Sequence, residues 1–388
     1  MKANPGGQLA VQDILGRDGL ITTLWDTIQG TSVIMTAERR IGKTTIIRKM
    51  HAEPRGEWVP VLQDLERVHS ANEFAVTVYD AILHHLGTMK KVASRARRVW
   101  EAIGGAEVAG VLKLPESKEA HWKNLLTHAV ADLVEEQAPR RLVFFWDEMP
   151  YMLLTISRNE GEKTAMEVLD VLRWLRQTHA GFRMVLTGSI GLHHILTTLR
   201  GAGHANEPVN DMCAVEVPPL ALPDAEALAC RLIDGEQLPT ASAEEAARAV
   251  AMEGDCFPFY IHSIVRHLRV SGRRADPGPI GEAVVEQMTD ANDPWELAHY
   301  RTRIKSFYPG EEKVVLATLD LLASAGEAQT VAAILGAVKA QCAFDDRDRL
   351  LELLKLMQRD HYLARTAEGR FGFRFPLIRR WWKLDRGP

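Results

Sequence analysis

Cysteine is scarce in this sequence, and what there is cannot build a metal cluster or a disulfide framework. Cys213, Cys230, Cys256 and Cys342 are the four in 388 residues, and no two stand in a CxxC spacing. They read as thiols of a reducing compartment. Long apolar runs are missing too. The opening stretch MKANPGGQLAVQDILGR is too polar for a signal peptide and no later stretch approaches a membrane span, so the expectation is a cytoplasmic protein with no membrane partner. Charge of one sign is also lacking: a formal net charge of -4 implies no general polyanion-binding surface, so a nucleic-acid contact would need a local patch. What remains, with 46% apolar and 25% charged residues, is an ordinary globular chain long enough for two or three domains.

Through the first half, short apolar runs alternate with long amphipathic stretches, the pattern of a parallel α/β sheet with crossover helices. The predicted strands are Ser32 to Ala37, Trp58 to Leu62, Leu142 to Trp146, Arg183 to Thr187 and Cys213 to Val217. Between the second and third the chain is too long for one crossover. Helices are predicted over Asn72 to Leu86, Lys90 to Glu101 and Glu116 to Gln137, with Gly104 to Pro115 as an exposed β-hairpin, either a surface excursion or a partner-docking element. After Pro218-Pro219 the sequence turns alanine-rich and helical, from Asp224 to Met288. Three more helices are predicted over Glu311 to Ala323, Thr330 to Ala340 and Asp346 to Arg359. Two short strands, HYLART and RFGFRF, and a last helix, PLIRRWWKLDR, complete a winged helix-turn-helix outline.

The string Ala37-Glu38-Arg39-Arg40-Ile41-Gly42-Lys43-Thr44-Thr45 matches the phosphate loop G-x-x-x-x-G-K-[ST] except that alanine replaces its first glycine. In such a loop backbone amides wrap the phosphates, the lysine reaches the β and γ phosphates, and the hydroxyl ligates magnesium. Alanine serves if that position needs only room, and fails if it needs a positive φ. The loop follows a predicted strand and opens a helix over Thr44 to His51, whose N-terminus favours phosphate. A complementary carboxylate stands at the end of RLVFFWDEMPYML: Asp147 is placed to reach the metal and Glu148 to act as the base for attacking water. Taken alone, that pair reads better as a strand-end cap; the loop upstream turns the reading toward function. Thr187 and Ser189 end the next strand, either as γ-phosphate sensors or as the cap of a helix beginning at Ile190.

Together these motifs resemble the archaeal-type ATPases and their STAND relatives, within the AAA+ class of P-loop ATPases. The similar segments are ILGRDGLITTLWDTI, ERRIGKTT, FFWDE, TGSIGL, VPPLALPDAEAL, GDCFPFYIHSIVRHL and FPLIRRWWKL, spread over most of the chain. The resemblance implies an α/β fold: a P-loop core over residues 1–219 with an insertion at about 87–140, a helical lid over 220–290 and a winged-helix domain over 291–388. It implies ATP and Mg2+ as ligands and places Gly16 and Arg17 near the adenine. It also identifies Gly254 to Pro258 as the group's glycine-x-proline lid motif, here with two extra residues between glycine and proline, which packs Pro258 near the nucleobase. In this group an arginine commonly follows the fourth strand and completes a neighbour's site. Here HANEPVNDMCAVEV has none, and the nearest is Arg200.

The expected function is an ATP-hydrolysing molecular switch whose nucleotide state controls assembly or partner binding. Its partners would be a second copy or another protein, met through the insertion or the winged helix. The alternative is a DNA-binding ATPase of initiator or transposition type. DDRDRLLELLKLMQRD is too balanced in charge to favour DNA, whereas Arg365, Arg370, Arg374, Arg379, Arg380 and Lys383, and the cluster Lys90, Lys91, Arg95, Arg97 and Arg98, are basic. Arg39 and Arg40 are read either as solvated or as leaning over bound phosphate, and Arg266 as a lid arginine or a surface one.

Overall fold

The computed structural model describes residues 1–86, 106–108, 111–113, 121–188, 191–201 and 207–387. These form two compact units that do not follow chain order: Arg17–Thr36 with Lys43–Val217, and Met1–Gly16 with Ala37–Gly42 and Pro218–Pro388. The predicted helix at Lys90 and its basic cluster lie outside the described residues, as does Ser189.

The first unit holds α1 (Asp18–Gly30), β1 (Val33–Thr36), α2 (Lys43–Ala52), β2 (Trp58–Asp64), α3 (Ala71–Leu86), β3 (Ala106–Val108), β4 (Val111–Lys113) and α4 (His121–Gln137). It continues with β5 (Arg141–Asp147), α5 (Met149–Glu160), α6 (Glu162–Thr178), β6 (Phe182–Leu186), α7 (Leu192–Gly201) and β7 (Cys213–Glu216). All five predicted strands are present and form one parallel sheet in the order β2-β5-β6-β1-β7. The inner strand β5 is an unbroken apolar run because both its faces are covered: Leu142 through Trp146 have no solvent exposure. Each such large side chain contributes about 1.5–3 kcal/mol by leaving water. The edge strand β7 alternates half-buried and exposed residues, as a strand with a neighbour on one side does. Inside this core the indole of Trp146 donates to Gln63 Oε1 at 2.7 Å. In the insertion, β3 and β4 pair antiparallel, Ala106 opposite Lys113, where the hairpin is expected.

The second unit is helical. It contains α8 (Leu222–Gly235), α9 (Ala243–Glu253), α10 (Pro258–Ser271), α11 (Pro277–Thr289), α12 (His299–Phe307), α13 (Glu312–Ala325), α14 (Val331–Cys342) and α15 (Arg347–Arg359). After these come β8 (Leu363–Arg365), β9 (Phe371–Phe373) and α16 (Pro376–Arg386). Their starts are written locally: Ser242, Thr330 and Asp346 each accept a backbone N–H three residues on, from Glu245, Ala333 and Arg349. β8 and β9 pair antiparallel, as the HYLART and RFGFRF strands require. Amphipathic α16 buries Leu377, Ile378, Trp381 and Trp382, and the Trp382 indole donates to Asp320 Oδ1 at 2.8 Å. Among the described residues no helix is long and apolar enough to cross a membrane.

Candidate functional site

In the sheet unit, β5 ends at Asp147 and α2 begins at Lys43. The Thr44 hydroxyl donates to Asp147 Oδ2 at 2.6 Å, and Asp147 Oδ1 accepts the Glu148 N–H at 3.1 Å. Burial pushes the Asp147 carboxyl above its ordinary range, a rise that the hydrogen bonds from Thr44 and Glu148 and the charge of Lys43 oppose and the nearby Asp64 carboxylate reinforces. Asp64 stands directly across the β2-β5 register from Asp147. A desolvated carboxylate touching a hydroxyl is a donor set of hard oxygens, the kind that magnesium takes, and bringing a cation there would relieve the burial cost. Lys43 is also buried, 8% exposed, in the first turn of α2. The residues present therefore fit a magnesium-bound phosphate.

Glu148 caps α5 with left-handed backbone, φ 55 and ψ 28. For a residue with a side chain that conformation costs about 1 kcal/mol or more, and it redirects the chain sharply after Asp147. The turn is clamped from the next strand: Thr187 N–H donates to the Trp146 carbonyl at 3.0 Å, and Met149 N–H donates to the Thr187 carbonyl at 3.1 Å. Gly188 completes the clamp, since a Cβ there would stand 2.7 Å from Pro150 Cδ. The Thr187 hydroxyl is buried with no hydrogen-bond partner among the described residues. Thr187, the one of the two predicted polar residues that lies among the described residues, stands beside the carboxylate turn.

The other half of the string, Ala37–Gly42, belongs to the helical unit. Its left-handed residues are Arg40, φ 66, and Gly42, φ 98; Ala37 is not among them. The first glycine of the motif is thus dispensable here, because its position needs room rather than positive φ. Arg39 and Arg40 both have partners in the helical unit. Both pair with Glu296, at 3.2 and 2.7 Å, and the Arg40 guanidinium lies 4.1 Å from the centre of the Phe259 ring. Glu38 is buried and takes Arg303 at 3.4 Å and its own neighbour's amide, Arg39 N–H, at 2.9 Å. Burial alone would raise the Glu38 carboxyl, but the charge of Arg303 and the imidazole of His299 outweigh it and hold it well below the carboxylate range.

The remaining predicted residues fall as follows. Ile41 is 1% exposed in the helical unit, and Thr45 lies in the first turn of α2. Gly16 packs against Asp224 in the helical unit, and Arg17 is buried at the start of α1 in the sheet unit. Pro258 is the first residue of α10. The two residues that lengthen the glycine-to-proline spacing, Asp255 and Cys256, form a turn of consecutive left-handed residues, φ 49 and 57. Asp255 uses that turn to accept the Leu377 N–H at 2.6 Å, capping α16. Arg266 is exposed on α10 and lines, with Arg40 and Phe259, an open cavity of about 480 Å³. Sequence reasoning missed Glu296, His299 and Arg303. The available signal was a carboxylate inside a loop read as anion-binding, which calls for a cation somewhere else in the chain.

No protein-family model and no curated protein matches the sequence. Solved structures do match. A Walker-type ATPase of Pyrococcus abyssi superposes with a TM-score of 0.65 at 14% identity, over 96% of this chain and 97% of that one. The ORC2 protein of Aeropyrum pernix, solved as ADPNP-ADP complexes, gives 0.54 at 12% identity, over 99% of this chain and 96% of that one. At such identities the likeness is one of fold: the chain has the α/β P-loop fold of archaeal Walker-type and AAA+ ATPases.

Proposed function

We propose that this protein binds and hydrolyses ATP and uses the reaction as a molecular switch. The observation that carries the reading is the 2.6 Å contact between Thr44, at the opening of α2, and Asp147, at the end of β5. On this reading Lys43 and the first amides of α2 bind the β and γ phosphates, and Thr44 and Asp147 hold Mg2+, which neutralises developing phosphate charge. Glu148 orients the attacking water: its oxygen bonds to the γ-phosphorus as the bond to the ADP oxygen breaks, and the proton passes to the carboxylate. Thr187, with Ser189 beyond it in sequence, senses the γ-phosphate. Residues 1–219 serve as ATPase core, 220–290 as lid with Pro258 toward the base, and 291–388 as a winged-helix output that meets a second copy or a protein partner.

Internal engagement of half of the basic set on the wing and last helix favours this over the DNA-binding alternative. Arg379 donates to the carbonyls of Ala323 and Gly326, Arg380 pairs with Glu253, and Arg374 hydrogen-bonds His361. On α15, Arg349 is held by Glu311 and Glu352. Arginines already held by acids or carbonyls must give up those bonds to reach a phosphate backbone, which weakens what they add to DNA binding. The test is ATP turnover by the purified protein with Mg2+, beside Lys43→Ala and Glu148→Gln, with and without DNA across a salt series. Turnover lost in both variants, with nucleotide still bound by Glu148→Gln, is the expected result. Unchanged turnover in both would sink the assignment, and DNA binding that weakens steeply with salt would favour the alternative.

A further inference from the structure

Glu38 is an odd residue to find in a loop read as wrapping a polyanion, and the structure makes it odder by burying it: its side chain is 1% exposed. A buried carboxylate must be matched or neutralised. Its match comes from far along the chain, from Arg303 on α12, itself 13% exposed. Arg303 is not a loose arginine that happens to reach. Its Nε donates to the Tyr362 hydroxyl at 2.8 Å and its Nη2 to the Asp360 carbonyl at 3.0 Å, while its guanidinium lies 4.7 and 4.3 Å from the ring centres of Tyr300 and Tyr362. The Tyr362 hydroxyl donates in turn to the Tyr300 carbonyl at 2.5 Å, and the Asp360 carboxylate accepts from the Tyr308 hydroxyl. The direction in which Arg303 points is therefore fixed by α12 and by the turn between α15 and β8.

We propose that Arg303, acting through Glu38, is a positioning residue for the phosphate loop, so that the placement of α12 sets how firmly the loop holds nucleotide. This rests on the ATP reading above. The coupling is electrostatic and has a sign. With Arg303 in place, Glu38 is neutralised and its Oε1 remains bonded to the Arg39 amide, fixing the first half of the loop. With Arg303 withdrawn, Glu38 keeps the Arg39 amide and the nearby His299 but loses its guanidinium, so net negative charge stands in a loop whose ligand is an anion, and binding weakens. A shift of α12 would thus act on the nucleotide through a contact whose strength differs between two positions, the condition any such coupling must meet. By reciprocity, bound nucleotide would favour the position of α12 that keeps the pair closed.

The experiment measures Mg-ADP and Mg-ATP affinity and ADP release for the full chain, using a fluorescent nucleotide, in wild type, Arg303→Met, Arg303→Lys, Glu38→Gln and the Glu38→Gln/Arg303→Met double variant. Each variant is first checked for a cooperative melt. Arg303→Met is expected to weaken binding about tenfold, Arg303→Lys by less, and Glu38→Gln, which leaves the cation unmatched, to tighten it about threefold; the double variant should return to within about twofold of wild type. A purely structural pair would give losses in every variant, in step with melting temperature, and that pattern overturns the proposal. Equal affinities throughout overturn it as well. Should wild type bind neither nucleotide, the ATP reading fails and takes this proposal with it, whereas failure of the proposal alone leaves wild-type binding intact. If Arg303→Met does not fold, the opposite signs expected of Arg303→Lys and Glu38→Gln still decide.

Discussion

The two halves of the string Ala37 to Thr45 answer to different parts of the molecule. Lys43 and Thr44 belong to the sheet unit, where Thr44 meets a carboxylate at the end of another strand of the sheet. Ala37–Gly42 belongs to the helical unit, where Glu38 and both arginines are matched by Arg303 and Glu296. On the proposed reading, Lys43 and Thr44 are groups that phosphate and metal chemistry require. Ala37–Gly42 is crowded with charge that the chemistry does not call for. The difference teaches that one short string can be built to two specifications, one end matched to the sheet and its carboxylate, the other to the charges of the helical unit.

The largest effect should come from breaking the chemical half. Asp147→Asn keeps the shape and the bond from Thr44 but removes the metal-seeking charge, and turnover should fall about a thousandfold, near 4 kcal/mol. Because burial raises the Asp147 carboxyl, folding stability should not fall with it. Phosphate release assays beside urea unfolding check both statements; a variant that keeps a tenth of the activity would remove Asp147 from the site. Breaking the other half should do the reverse. Arg303→Met leaves Glu38 buried without its guanidinium and should cost about 3 kcal/mol of stability, most of it recovered when Glu38→Gln is added. Urea midpoints for the two single variants and the double give the coupling directly, and additive losses would mean that the ion pair is incidental.

The same contrast explains what the sequence could and could not show. The sheet was legible because β5 writes its own burial as LVFFW and ends on Asp147-Glu148, a local pattern that needs no partner to be read. The string Gly42-Lys43-Thr44 was legible for the same reason. Arg303 was not: it stands 265 residues from Glu38, on a short helix whose other charges face solvent or neighbours, and nothing in its surroundings marks it. The doubled spacing before Pro258 was visible as a departure, yet its cause, two successive left-handed residues that bring Asp255 to the start of α16, is a backbone fact that no residue type announces. Glu148 is a similar case, a glutamate in a conformation more often given to glycine or asparagine.

A smaller effect separates the charges of the helical unit by pH. Burial pushes Asp255 up to about 6, against the pull of the Leu377 N–H and of Arg380, so the folded state holds a proton that the unfolded chain releases near 4. Stability from this group is therefore fullest at low pH and is lost as pH rises through 6. Glu38 has the opposite sign: its carboxyl is held low, so its contribution is present above the ordinary carboxylate range and goes only as pH falls well below it. Lowering pH from 7 to 5 should then stabilise wild type by about 1 kcal/mol relative to Asp255→Asn, while the buried His262 imidazole, pushed down to about 4, destabilises both alike. Glu38→Gln should leave the wild-type slope unchanged, as thermal melts across the range would record; an Asp255→Asn slope identical to that of wild type would place the Asp255 titration elsewhere.

The smallest effect concerns the alanine that departs from the motif. If the loop's first position needed left-handed backbone, Ala37→Gly would relieve strain and improve nucleotide binding. The left-handed positions are instead Arg40 and Gly42, and Arg40 sits there under the combined hold of Glu296 and Phe259. At a position with ordinary backbone, glycine adds only freedom to the unfolded chain, so Ala37→Gly should cost about 0.5–1 kcal/mol of stability and change nucleotide affinity less than about twofold. Gly42→Ala should cost more on both counts, because φ 98 strains any side chain and the amide there must come closest to phosphate. Tenfold tighter binding in Ala37→Gly would show that the grip of the helical unit holds the loop away from its best geometry, and the charge-rich half would then be a brake on the nucleotide rather than a support for it.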